Sequence, residues 1–217
     1  MKNRFDLIIF DWDGTLIDSI DWIVNCLQAA AEQCGCAIPD DQSARDVIGL
    51  SIANACDILF PGVDQPTATR LADCYHRAYS SWQIGRNDLF PGVYEMLVEL
   101  KQSGYQLAVA TGKTRAGLQQ ALQGTDTEDL FCITRCSDET ASKPDPLMLQ
   151  QIIQYTQMAH DRSLMVGDSS HDLQMAVNAQ ISSIAVLCGA HPEHVLQQYH
   201  PLLCLQQPTE LLNIIRG

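Results

Sequence analysis

From about residue 90 onward, short apolar runs alternate with stretches of helical period, and that rhythm leaves few folds open. Tyr105 to Ala110, Phe131-Cys132-Ile133, Ser163 to Val166 and Ser182 to Leu187 read as strands. Each contains a short apolar run. Val93, Met96, Leu97 and Leu100 mark a helix that Gly104 can terminate, and a second covers about 114–123, closed by Gly124. Pro144 opens a third, to about Met158, and Asp172 to Ala179 form a fourth. Residues 193–199 and 209–216 also carry helical spacing. Such alternation predicts an α/β fold: a doubly wound parallel sheet with helices on both faces.

One more apolar run, Leu7-Ile8-Ile9-Phe10, stands apart near the N-terminus and ends in Asp11-Trp12-Asp13-Gly14-Thr15. Ser19 is placed to cap a helix whose apolar positions are Ile20, Ile23, Val24, Leu27, Ala30 and Ala31, ended by Gly35 and Pro39. Further helical pieces fall at 41–47, 51–60 and 67–79, and no strand is expected between 17 and 85. The organisation predicted is a Rossmann-like core built from residues 1–16 and 86–217, interrupted after its first strand by an all-helical cap domain at 17–85.

Charge and cysteine usage narrow the partners. Thirteen basic against 26 acidic residues give a net charge of −13. That balance opposes non-specific nucleic-acid binding and docking on anionic membranes, which both rest on basic patches. The nine cysteines form no Cys-x-x-Cys and no zinc-like spacing, and several lie in apolar periodic stretches. Reduced core thiols, and hence a cytoplasmic location, are expected. The apolar run before Asp11 is too short for a signal-peptide core or a membrane span. Oligomeric state is left open.

In a doubly wound sheet, ligands bind beyond the carboxyl ends of the strands. Asp11 and Asp13 follow the first strand, Thr111 and Gly112 the second, and a loop to Lys143-Pro144 the third. Gly167-Asp168 follow the fourth, with Asp172 one turn on. Four carboxylates at one rim repel unless a cation neutralises them. An all-oxygen set suits Mg²⁺, which keeps waters for a substrate phosphate. Asp11 can then attack phosphorus and form an aspartyl-phosphate, while Asp13 gives a proton to the leaving oxygen and later activates water. Lys143 can offset charge on the transferring group, and the Thr111 hydroxyl and nearby amides such as Gly112 can hold its oxygens. Asp168 can hold the metal; Asp172 can hold it too or orient its waters.

Four ordered motifs carry a resemblance: Asp11-Trp12-Asp13-Gly14-Thr15-Leu16-Ile17-Asp18-Ser19, Thr111-Gly112-Lys113, Lys143-Pro144-Asp145-Pro146 and Gly167-Asp168-Ser169-Ser170-His171-Asp172. Together with the helical insertion, the set resembles the haloacid dehalogenase superfamily, and most closely its phosphoglycolate-phosphatase-like members with a helical cap. The resemblance implies a Mg²⁺-dependent phosphatase acting on a small phosphate monoester. It makes Asp11 the nucleophile and a metal ligand, and Asp13 the acid/base and donor of a backbone carbonyl to Mg²⁺. Thr111 and Lys143 would bind phosphate and Asp168 metal, while Asp172 is the carry-over that families treat differently.

Each residue has a plainer reading. Asp11 and Asp13 could end a strand in a turn, Lys143 could be solvated, Asp168 could cap a helix and Asp172 could be a first-turn acid. Gly112-Lys113-Thr114 resembles a P-loop ending, but position 107 is Leu, so a turn opening a helix is expected. His171 is expected to be an exposed loop residue, His191 to lie in a loop, and Trp12 to pack. Residues 17–85 contain no lysine; by the same resemblance, that disfavours the Schiff-base chemistry of phosphonate-cleaving relatives, and Asp13, the second acid that dehalogenating relatives lack, favours phosphate chemistry. Arg45 is the candidate for a substrate carboxylate if the cap closes. Two further readings stay open: a sugar-phosphate mutase with the same core, and a non-catalytic receiver-like module phosphorylated on aspartate.

Overall fold

The computed structural model describes residues 4–216; residues 1–3 and 217 of the expected core segments lie outside the described residues. The strands are β1 (Leu7–Phe10), β2 (Gln106–Thr111), β3 (Ile133–Cys136), β4 (Ser163–Gly167), β5 (Ser182–Val186) and β6 (Cys204–Leu205). All neighbours are parallel, in the order β3-β2-β1-β4-β5-β6. The helices are α1 (Ile20–Cys34), α2 (Asp41–Asp46), α3 (Ile52–Leu59), α4 (Gln65–Tyr79), α5 (Val93–Gln102), α6 (Arg115–Thr125), α7 (Leu147–Thr156), α8 (Ser170–Asn178), α9 (Glu193–Leu196) and α10 (Leu211–Arg216).

Alternate residues of one strand feed opposite cores. Ile8 and Phe10 of β1 join Leu107, Val109 and the α5 stripe Val93, Met96, Leu97 and Leu100. Leu7 and Ile9 join Ala108, Ala110 and the α7 stripe Met148, Leu149, Ile152 and Ile153. Burial on both sides is why these strands lack polar alternation. Between β1 and α5 the chain is helical apart from turns, and the described residues there form no strand. α1 packs along α4. Their apolar faces close two clusters, one around Ile23, Leu27 and Ile48, the other around Ala31, Cys56, Leu71 and Cys74. Among the described residues no helix is long and apolar enough to cross a membrane.

Several boundaries differ from expectation. β3 begins at Ile133 rather than Phe131, because Phe131 leaves a short 3₁₀ turn to pack edge-on against Trp12. β6 was not expected; it is two residues long and pairs at the sheet edge with β5. α7 starts at Leu147, not Pro144, with the Asp145 carboxylate accepting from the Leu147 amide. α6 runs through Gly124 to Thr125, since Gly124 is where the Ile84 carbonyl approaches too closely for any Cβ. Ser19 precedes α1 but its side chain makes no capping bond; it is used elsewhere.

Candidate active site

The strand tips bring the acids together. The Asp11 amide still donates to the Val166 carbonyl of β4, so Asp11 sits in sheet register one residue beyond β1. The chain then turns back: Leu16 N–H donates to the Trp12 carbonyl, and Gly14 takes φ +75°. A side chain at Gly14 would strike the Asp168 carboxylate, so glycine is required by conformation and by space. Trp12, fully buried, packs as expected.

Asp11, Asp168 and Asp172 each present a carboxylate oxygen within 4.8 Å of the others. Lys143, wholly buried, bridges two of them, 2.6 Å from Asp11 Oδ1 and 2.6 Å from Asp172 Oδ1. Asp168 accepts from Thr15 Oγ1 (2.6 Å) and from the Ala190 amide (2.8 Å). Asp172 forms a capping box with Ser169 at the start of α8, so its first-turn position and its contact with Lys143 coexist.

Burial and repulsion raise these acids. Burial, then the Asp172 charge, hold Asp11 well above the usual carboxylate range against the pull of Lys143. The same two causes push Asp168 up to about 7. Burial pulls Lys143 down, but Asp11 and Asp172 together outweigh it and raise it. With all three acids ionised, Lys143 leaves two negative charges uncompensated, the charge of one divalent cation. The donor set is all oxygen and buried, so these residues fit a small hard dication.

Asp13 stands at the cavity side of this cluster and is nearly buried. Ser19 Oγ donates to its Oδ1 at 2.7 Å, which is the work Ser19 does instead of capping. Lys113 Nζ lies 3.0 Å from its Oδ2, and the Tyr79 hydroxyl reaches Oδ1 at 3.4 Å. Lys113 also donates to Tyr79 Oη at 2.5 Å, 4.0 Å from the centroid of its ring. Thr111 is buried and its Oγ1 accepts from the Lys113 amide. A Cβ on Gly112 would fall on the Gly49 and Leu50 carbonyls, so glycine permits the 49–51 turn to close against the β2 tip.

Asp11, Asp13, Thr111 and Gly112 line one cavity of about 660 Å³, and Asp168, Asp172 and Lys143 back onto Asp11. Arg45 is not brought there: it pairs with Asp21 in the first turn of α1 and does not line the cavity. His171 is half-buried rather than exposed, its Nε2 beside the Asp46 carbonyl, and His191 is in a loop but buried, accepting from the Ser170 amide. The sequence reading missed Thr15, Ser19, Tyr79 and Lys113. Thr114 does cap α6, accepting from the Gly117 amide, as the helix-opening reading of Gly112-Lys113-Thr114 requires, yet Lys113 turns the other way onto Asp13. A lysine at a strand tip, in a chain with only four, was the available signal.

A parallel sheet with acids clustered at its carboxyl edge is an α/β arrangement that can take a ligand beyond its strand ends. Residues 8–186 match the family profile described as Haloacid dehalogenase-like hydrolase, and the chain belongs to that family. It is 31% identical over 212 residues to "Probable phosphatase IndB" of Dickeya dadantii, covering 95% of this chain and 91% of that one. It is 26% identical over 213 residues to Pyrophosphatase PpaX of Bacillus cereus (strain Q1), covering 98% and 97%. The crystal structure of a hydrolase from Pseudomonas syringae shares the fold, with TM-score 0.88, 22% identity and 98% coverage of each chain.

Proposed function

We propose that the protein is a Mg²⁺-dependent phosphatase that hydrolyses a small phosphate monoester through an aspartyl-phosphate on Asp11. The single observation that carries this reading is the buried Asp11 carboxylate at the tip of β1, held by Lys143 at 2.6 Å and grouped with Asp168 and Asp172. Asp11, Asp168 and the backbone carbonyl of Asp13 would hold Mg²⁺, with Asp172 holding Lys143 and completing the acidic group. The ion supplies charge neutralisation for the phosphoryl oxygens and the acids.

This chain's own residues do the rest. Thr111 Oγ1, the amides near Gly112 and Lys143 Nζ bind and orient the phosphoryl oxygens. An Asp11 oxygen attacks phosphorus as the bond to the leaving alcohol breaks, and Asp13 donates a proton to that alcohol oxygen. Asp13 then takes a proton from the water that attacks the phosphorus, releasing inorganic phosphate and restoring the Asp11 carboxylate. Ser19 and Lys113 fix the Asp13 carboxylate for both transfers.

In this reading residues 17–85 are the cap and residues 1–16 and 86–217 the core. The helices' separate apolar clusters and the cavity between them and the β1 and β2 tips support that division. The nine free thiols support a reducing, cytoplasmic setting. Arg45, held by Asp21, gives no support to a carboxylate-bearing substrate.

The test is hydrolysis of a generic aryl phosphate by Asp11→Asn and by the parent with a chelator. Both should lose roughly 10³-fold or more, with folding of the variant checked by circular dichroism. Full activity of a folded Asp11→Asn variant would end the proposal. Stoichiometric inorganic phosphate at each turnover is expected; isomerised sugar phosphate in its place would indicate a mutase.

A further inference from the structure

The cavity that rises from Asp11, Asp13 and Thr111 is about 660 Å³, within the range of roughly 300–1,000 Å³ typical of clefts that enclose drug-sized ligands. A two-carbon acid phosphate would leave most of it unfilled. Much of the lining is apolar or aromatic: Ile23 and Leu27 of α1, Ile48 and Leu50 of the turn after α2, and Tyr75 and Tyr79 of α4. The two tyrosine rings lie 5.9 Å apart at 33°, presenting a broad aromatic surface beside Asp13.

The charges of the same cavity are spoken for. Among the described residues lining it, Lys113 is the one lysine or arginine, and Asp13 and Tyr79 already hold it. Asp138 is acidic and accepts from the Arg115 amide at the start of α6. His76 packs its ring edge-on against Tyr75. A second anionic group on the substrate would meet aliphatic, aromatic and uncharged hydroxyl or amide side chains with no lysine or arginine left unpaired to receive it, and burying an unpaired charge is costly. An uncharged apolar group would instead exchange water for matching surface.

We propose that the alcohol carried by the phosphate is uncharged and predominantly apolar or aromatic, and that acid phosphates such as phosphoglycolate are poor substrates. The inference rests on the phosphatase reading above and adds the class of leaving group to it.

The experiment compares kcat/KM with Mg²⁺ for 2-phenylethyl phosphate, ethyl phosphate and phosphoglycolate, whose leaving groups are all primary aliphatic alcohols. Burial of the phenyl group should raise kcat/KM roughly 30- to 100-fold over ethyl phosphate, mainly through KM, with phosphoglycolate at or below ethyl phosphate. Leu50→Arg, at a half-buried position of the wall, should shift the phosphoglycolate-to-phenylethyl ratio upward by roughly tenfold or more. Preference for phosphoglycolate over 2-phenylethyl phosphate in the parent would overturn the inference while leaving the phosphatase reading intact. Absence of phosphate release from all three esters would fail the phosphatase reading, and this inference with it.

Discussion

Lys143→Met tests the electrostatics of the acidic cluster directly. The change keeps a long unbranched side chain but removes the ammonium that lies 2.6 Å from both Asp11 and Asp172. All three groups are buried, so water cannot take over the neutralisation. Removing one partner of a buried ion pair costs about 3–5 kcal/mol. For a chain of this length each kcal/mol moves the melting temperature by about 2–4 °C, which gives a fall of roughly 6–20 °C. The sign with pH follows from the same geometry. Losing the lysine raises the folded-state pKa of Asp11 further above its unfolded value, so the penalty grows as pH rises and should be smaller at pH 5 than at pH 8. Thermal unfolding in chelator at both pH values measures it, and added Mg²⁺ should recover part of the loss at pH 8. The double variant Lys143→Met/Asp172→Asn should be less destabilised than the sum of the single changes, by about 1 kcal/mol or more. A melting temperature for Lys143→Met within about 2 °C of the parent at pH 8 in chelator would refute the account of a lysine balancing buried acids.

Three other outcomes follow from the site. Lys113→Gln removes the cation beside Asp13, leaving a largely buried carboxylate without its ion-pair partner, and should lower kcat roughly tenfold and the melting temperature by several degrees, read by steady-state kinetics alongside thermal unfolding. Gly112→Ala would push a methyl group into the Gly49 and Leu50 carbonyls and force the 49–51 turn away, so the melting temperature should fall by several degrees and KM should rise. In metal-free protein, Asp168 at about 7 against an ordinary 3.8 means the folded state binds an extra proton between those values; stability should therefore decline as pH rises from about 4.5 to 7 and level off above, and Mg²⁺ should raise the melting temperature more at pH 8 than at pH 5.

The sheet was legible because fully buried strands and amphipathic helices leave distinct periods, and because the acids follow the strand ends directly. What remained hidden involves side chains meeting across long separations. Ser19 sits at a helix start, where a capping role is the local expectation, yet its hydroxyl is captured by Asp13. Tyr79 reaches Asp13 from 66 residues away, through the packing of α4 on α1, which no local spacing encodes. Arg45 was read from its chemistry alone, and Asp21, one helix back, claims it. β6 is too short to carry a period, and Phe131 is apolar for contact with Trp12 rather than for membership of β3.

The acids proposed to react stand at the strand tips, whereas the apolar side chains Ile23, Leu27, Ile48, Leu50, Ile52 and Tyr75 of the cavity lining come from α1, α3, α4 and the turn at 47–50. Under the proposed function, reactivity and choice of guest would thus be inherited by separate stretches of chain. Randomising Ile23, Leu27, Ile48 and Tyr75 should yield lineages with new appetites and an unaltered phosphoryl-transfer engine, which makes this chain a convenient starting point for retargeting by selection.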